Sequence, residues 1–380
     1  MKLPVYLDYN ATTPVAPEVA DAIEPFLRTD FGNPSSSHAY GRRACEAVAR
    51  ARAHVAALIG ATEPEIVFTG CATEANNLAI CGVAAQAPPG RRHLVVSAVE
   101  HPAVMQPALH LQRCGWDLSI VPVDARGRVA ASAVAAVLRP DTALVSIMHA
   151  NNEVGTIQPV AEIAALTRPR NILLHTDAAQ SAGKIEVDVH ALGVDLLTLA
   201  GHKFYATKGI GALYVRAGTP IDGIVFGADQ EHGLRPGTEN VPAIVGLGTA
   251  ARLARERLPE ATAHLRRLRD YLHARLAAAI PGLVLNGDPK ERLPNTLHVS
   301  FPGVSGRELL QQASDDVAAS VGSACHSERD AVSGVLAAMG IESVRAVGAV
   351  RLSVGWMTTE DDLARAAAGL TAAWRRLAKQ

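Results

Sequence analysis

The sequence has no excess of charge of either sign. Its 36 Lys and Arg balance 37 Asp and Glu, for a formal net charge of −1 at pH 7. Neither nucleic acid nor an acidic membrane is therefore expected as the main partner. Long apolar runs are missing as well. The first residues, MKLPVYLDYN, hold no signal-peptide core, and no later stretch approaches a transmembrane span. The expectation is a cytoplasmic protein with no membrane contact. Cysteine is sparse: Cys45, Cys71, Cys81, Cys114 and Cys325 are odd in number and contain no C-x-x-C pair. In a reducing compartment this spacing predicts neither a disulfide framework nor a structural metal site. No fixed-period repeat and no low-complexity tract interrupts the chain.

What is present reads as a folded α/β protein. The 380 residues are 48% hydrophobic and 19% charged, enough for more than one packed lobe. Seven apolar stretches have strand character: EIVFTG, HLVVSAVEH, LSIVPV, TALVSIMHA, NILLHTDAAQ, DLLTLAGHK and GALYVR. Their Val, Ile, Leu and Thr run without alternation, which suits a sheet buried on both faces. Helical segments such as ASAVAAVLRP separate several of them. The β-α-β order from about residue 65 to 216 predicts a large, doubly wound, mostly parallel sheet. A long amphipathic helix follows, with Leu253, Leu265, Leu268, Leu272 and Leu276 among arginines that read as a solvated face. Shorter strands, TLHVSFPG and AVRLSVG, predict a smaller α+β domain after it. The expected division is residues 16–250 as the large domain, with 1–15 and 251–380 as the small one.

Ligands of open parallel sheets bind beyond the carboxyl ends of the strands. Five of these strands are followed there by GCATEANN, EHPA, NNEVG, DAAQS and GHKFYATKGIG. Each polar residue has a plainer reading when taken alone. Thr73 could be a helix cap or part of a phosphate cradle at a helix N-terminus. His101 could be a satisfied half-buried histidine or a ring that stacks on an aromatic ligand. Lys203 could snorkel to water, or it could be a desolvated amine that forms a Schiff base. Asp177, directly after ILLHT, is a carboxylate at the end of a buried strand, where a lone charge is rarely tolerated. Together the four meet the needs of pyridoxal 5′-phosphate: an amine for the aldehyde, a carboxylate for the ring nitrogen, an anion site, and a flat group against the ring. No G-x-G-x-x-G opens the first βα unit and no Walker loop is present, so a nicotinamide or P-loop reading fails.

The same residues resemble a known family. HTDAAQSAGKIEVDVHALGVDLLTLAGHKFYATKGIGALYVR is similar to the cofactor-lysine region of the class V, fold-type I aminotransferase-like enzymes. Within them the chain resembles the cysteine desulfurases and selenocysteine lyase. YLDYNATTPV, FGNPSSSHAYGRRA, VSIMHANNEVGTIQPV, RPGTENVPAIVGLG, SVGSACHS and VRLSVG extend the likeness in order from about residue 4 to 375. The resemblance implies that Lys203 carries the cofactor, Asp177 pairs with its ring nitrogen, and His101 stacks on the ring. It puts Asn152 and Gln180 at the phenolic oxygen, and Ala72, Thr73 and His202 at the phosphate. Thr238 matches a phosphate contact supplied by the neighbouring subunit of a homodimer. Arg351 matches the clamp for the substrate α-carboxylate, Asn33 a residue lining the substrate pocket, and Cys325 the nucleophile that accepts sulfur.

The implied reaction takes sulfur from L-cysteine, or selenium from L-selenocysteine, and leaves alanine. Sulfur passes to a Cys325 thiolate as a persulfide, and from there to an acceptor protein. Cys325 lies among serines, glycine and charges rather than in an apolar run, which suits a loop. Gly322 and the serines read as its hinge, and His326 and Arg329 as groups that could lower the thiol pKa. Three residues depart from the pattern: Ala200 where many desulfurases have a phosphate-binding serine, Trp356 where an arginine is usual, and Pro102 where the mammalian-type lyase has an aspartate. Another class V reaction, an aminotransferase or epimerase, would use Lys203 and Asp177 but give Cys325 no task. A non-catalytic partner subunit would need none of them.

Overall fold

The computed structural model describes residues 3–322 and 333–379. Cys325, His326 and Arg329, and with them the expected sulfur acceptor and its activators, lie outside the described residues.

The strands in chain order are β1 (Val5–Tyr6), β2 (Ile66–Thr69), β3 (His93–Ser97), β4 (Asp117–Val121), β5 (Thr142–Ser146), β6 (Leu173–Asp177), β7 (Leu196–Ala200), β8 (Gly211–Val215), β9 (Val284–Leu285), β10 (Thr296–Ser300), β11 (Val317–Ala318) and β12 (Ala349–Ser353). All seven strands expected between residues 65 and 216 form one sheet, in the order β2-β8-β7-β6-β5-β3-β4. Six run parallel. Only β8 is reversed, paired antiparallel to both β2 and β7. Every residue of β2, β3, β5 and β7 is buried, which is why these strands read as unbroken apolar runs. At the edge, β4 is largely open to solvent and starts with Asp117, a charge that discourages further pairing.

The apolar stretches after the long helix form a three-stranded antiparallel sheet, β12-β10-β9, while β1 pairs in parallel with β11. A separate apolar cluster surrounds them, with Leu7, Leu297, Phe301, Leu352 and Leu370 at its centre. Helix Val241–Ala279 serves both regions. Its first part, through Ala254, packs in the cluster of the large sheet, and Leu265, Leu268, Leu272 and Leu276 pack in the other. One of its arginines departs from the solvated face. Arg269 is buried and donates to the Leu293 carbonyl at 2.9 Å, so it ties the helix to the loop that leads into β10.

Candidate active site

The six parallel strands send their carboxyl ends to one edge, and the polar residues read from the sequence gather there. Asp177 is the last residue of β6 and is 6% exposed. Its neighbour β7 ends at Ala200 and passes into a 3₁₀ turn, Gly201–Lys203, that delivers the lysine to the same edge. β2 leads into helix Ala72–Gln86. That helix buries Ala75, Asn76, Leu78, Ala79, Ile80, Gly82 and Val83. A polar residue inside such a helix needs a partner. Asn76 has one: its Nδ2 donates to Asp177 Oδ2 at 2.7 Å. The Ala179 amide donates to Oδ1 at 2.9 Å. Both carboxylate oxygens thus accept from uncharged groups, and no cation lies within salt-bridge distance of Asp177 among the described residues.

Lys203 is half-buried, and its Nζ donates to the carbonyls of Asn10 at 2.6 Å and Ala11 at 2.7 Å. Burial, aided by the nearby Arg351 and partly opposed by Asp177 and Asp8, pulls its pKa down to about 8. His101 caps helix Pro102–Arg113, its Nδ1 accepting from the Ala103 amide at 3.1 Å, and Pro102 occupies the first helical position. Loss of hydration lowers its pKa, with Asp177 and Lys203 acting in opposite directions. His202 lies next to Lys203 in the turn, with Nδ1 3.1 Å from Thr12 Oγ1, and burial and the neighbouring lysines bring its pKa to about 4.

The start of helix Ala72–Gln86 decides between the two readings of Thr73. The N-cap is Cys71, which makes no side-chain capping bond, and Thr73 stands exposed in the first turn. Thr73 is therefore not the cap. A Cβ at Gly211 would come within 2.9 Å of the Ala72 nitrogen, so glycine is what lets β8 lie against this helix end. The first-turn amides are left to other acceptors.

The remaining expected residues fall into three groups. Gln180 is buried, its Nε2 donating to the Asn10 carbonyl at 3.0 Å, and the Asn152 carbonyl accepts from Arg351 Nη1 at 3.0 Å. Arg351, on β12, is 3% exposed and also pairs with Asp8 at 2.8 Å, while its Nε has no partner among the described residues. Asn33 and Thr238 are not drawn into this network. Both are exposed, and Asn33 Oδ1 accepts from the Ser35 amide in its own turn. Trp356 stacks on Tyr205 at 3.7 Å with rings 5° apart, and its amide donates to the Tyr205 hydroxyl at 2.8 Å. Tyr205 is held at φ +71°, a left-handed conformation costly for a bulky residue.

Asn10 was missed as a site residue, and it is the hub. It is 1% exposed. Its Nδ2 donates to Thr296 Oγ1, its Oδ1 accepts from Asn295, and its amide donates to Ser353 Oγ. The signal was a strand-like start, YLDYNATTPV, whose polar residues have no reason to be buried unless they bind one another. Glu100 was passed over too. Ser97 Oγ and the Met148 amide donate to its Oε1, and burial lifts its pKa to about 8.

The aminotransferase class-V family model matches residues 5–365. The chain belongs to the class-V aminotransferase family. Among curated relatives, cysteine desulfurase IscS of Dictyoglomus turgidum is 44% identical over 364 residues, covering 96% of this chain and 92% of that one. Among solved structures, a NifS-like protein superposes with a TM-score of 0.92 at 37% identity over the whole of both chains. SspA in complex with cysteine matches with a TM-score of 0.83 at 36% identity, covering 92% of this chain and 98% of that one.

Class-V enzymes of this kind depend on pyridoxal 5′-phosphate, and the residues here fit it. Lys203 offers an amine whose pKa is far below that of a free lysine. Asp177 is a carboxylate without a cation. The uncapped helix start beside Gly211 offers amides to a phosphate. These three features answer the three ends of one molecule. Among the described residues no cluster of His, Cys, Asp and Glu could hold a metal ion, and no helix is long and apolar enough to cross a membrane.

Proposed function

We propose that this chain is a pyridoxal 5′-phosphate-dependent cysteine desulfurase, with Lys203 as its cofactor lysine and Cys325 as its sulfur acceptor. One observation carries the reading. A desolvated lysine in the turn after β7 meets, at the same sheet edge, a carboxylate at the end of β6 that has no cation partner among the described residues. The cofactor, when bound, supplies an aldehyde that captures amines and a ring that withdraws electrons from the captured substrate.

The chain's own residues do the rest. Asp177, its direction fixed by Asn76 and the Ala179 amide, would keep a proton at the ring nitrogen. With the cofactor bound, His101 would stack on the ring, Asn152 and Gln180 would serve the phenolic oxygen, and Ala72, Thr73 and His202 would hold the phosphate. Arg351 clamps the carboxylate of L-cysteine, with Asn33 lining the pocket. Its planar fork suits that task, and its unpartnered Nε leaves a donor to spare. Lys203, as a free amine, moves the proton at the substrate Cα. The Cys325 thiolate then attacks the substrate sulfur. The Cβ–S bond breaks, an S–S bond forms, and alanine leaves.

Residues 16–250 form the cofactor-binding domain in this reading, and 1–15 with 251–380 form the smaller one. The separate apolar clusters support that division, although its boundary falls inside helix Val241–Ala279. Thr238, exposed and outside the network, suits a residue that completes the site of a second copy in a homodimer. The acceptor is a second protein, and the location is cytoplasmic.

The deciding experiment supplies L-cysteine and measures alanine together with the mass of the Cys325 peptide. Equal amounts of alanine and persulfide are expected. The Cys325→Ala variant should make neither sulfide nor persulfide. Alanine formed only when an oxo acid is added would point instead to an aminotransferase. The kcat/KM ratio for L-selenocysteine over L-cysteine separates lyase from desulfurase. Selenide release that persists in Cys325→Ala would favour the lyase.

A further inference from the structure

Four residues beyond Gln180 lies a second buried lysine to which no step above gives a task. Lys184 is 5% exposed, yet among the described residues no carboxylate pairs with it. The charged groups that act on it, Lys203 and Arg351, are both cationic, and Tyr9 and Tyr205 share its small cavity. Burial lowers its pKa to about 7. Burying an amine among cations opposes folding, and an apolar side chain of the same length would avoid that. Its two hydrogen bonds show what the lysine provides. Nζ donates to the Gln180 carbonyl at 3.0 Å and to Gln180 Oε1 at 3.1 Å.

We propose that Lys184 is a positioning residue that selects the orientation of the Gln180 amide. The two ends of an amide are nearly equal in shape but opposite in hydrogen bonding. Here both ends are keyed. Oε1 faces the amine of Lys184, and Nε2 faces the carbonyl of Asn10. The reverse orientation would set a donor against a donor and an oxygen against an oxygen. The Asn10 carbonyl also accepts from Lys203, so the same lock sets the amide donor beside the cofactor lysine. This rests on the cofactor reading above, in which Gln180 serves the phenolic oxygen. That oxygen requires a donor, and Lys184 ensures that it meets one.

The test is a pH titration of the visible absorbance of the lysine-linked cofactor in purified holoenzyme. A donor at the phenolic oxygen stabilises its anion and lets the adjoining nitrogen lose its proton at lower pH. Lys184→Met should therefore raise the midpoint by about one pH unit. Gln180→Ala should raise it similarly, and the double variant should move it no further. Lys184→Gln, which retains a neutral donor, should keep the wild-type midpoint. Additive shifts in the double variant, or a Lys184→Gln midpoint displaced as far as that of Lys184→Met, would mean that Lys184 acts through charge alone and would overturn the proposal. An unmoved midpoint in Lys184→Met would do the same. Failure of the cofactor reading is a different outcome: visible absorbance that persists unchanged in Lys203→Ala.

Discussion

The two edges of the seven-stranded sheet differ in a way that locates the chemistry. At the amino edge a cavity of about 360 Å³ is lined by Ala143, Ile172, Leu173, Asp195 and Arg216. Its charges are mostly settled: Arg216 pairs with Asp195 at 3.1 Å, and the Leu174 amide donates to the same carboxylate at 2.8 Å. At the carboxyl edge the cavity beside Lys203 holds only about 10 Å³. Yet that edge holds two amines without carboxylate partners and a carboxylate without a cation among the described residues. Volume does not mark a reactive site here. Charge left unneutralised does, because the fold sustains its cost only where a ligand or a reaction uses it.

Substitutions at the two edges should sharpen that contrast. The largest effect is expected for Lys203→Ala, which should lower alanine formation from L-cysteine by roughly a thousandfold or more. Arg216→Ala, at the larger cavity, should leave kcat/KM within about twofold. Next is Arg351→Lys. An ammonium loses the planar fork, and each lost charged hydrogen bond is worth about 1.5–3 kcal/mol. KM for L-cysteine should rise roughly tenfold to a hundredfold while kcat changes less.

The pH behaviour of Lys203 gives a third test. Its amine is protonated below about 8, so its neutral fraction grows as pH rises toward that value. Capture of added cofactor by cofactor-free protein should accelerate by about tenfold per pH unit below 8 and level off above it. A midpoint near 10.5, the ordinary lysine value, would show the amine to be solvated and would break the comparison.

Glu100 provides a stability test at the same edge. Its folded pKa of about 8 lies above the ordinary glutamate value of 4.5. The folded state therefore holds a proton that the unfolded chain loses between those values, and stability from this group falls as pH rises from 4.5 to about 8. Glu100→Gln should flatten that slope, which thermal unfolding at pH 5 and pH 8 would reveal. The smallest effect belongs to the partly buried pair at the amino edge, where Arg216→Ala should cost about 1 kcal/mol of stability.

Much of this arrangement was legible in the sequence. Unbroken apolar runs gave all seven strands of the large sheet, and the residues after them gave Lys203 and Asp177. Periodicity sees one element at a time, so the cross-chain network stayed hidden. Asn10 meets Thr296 and Ser353 only through the fold, and nothing local distinguishes Asn76 from its neighbour Asn77. Residue type alone left Thr73 open between a cap and a phosphate contact, and only the backbone shows that the N-cap is Cys71, two residues earlier. Arg269 looked like its solvated neighbours because burial depended on Leu293, 24 residues away.

The bonds of Asn10 also set an order in time. Its amide needs the hydroxyl of Ser353, and its side chain needs Asn295 and Thr296. A chain growing on the ribosome makes Lys203 long before it makes any of these. The large sheet can form while synthesis continues. The segment 8–13 can bond early to Gln180 and His202, but its bonds to Asn295 and Thr296 wait for residues made more than 280 positions later. The polar network around Asn10 thus closes last, as a clasp between the first residues of the fold and strands near the other end of the sequence.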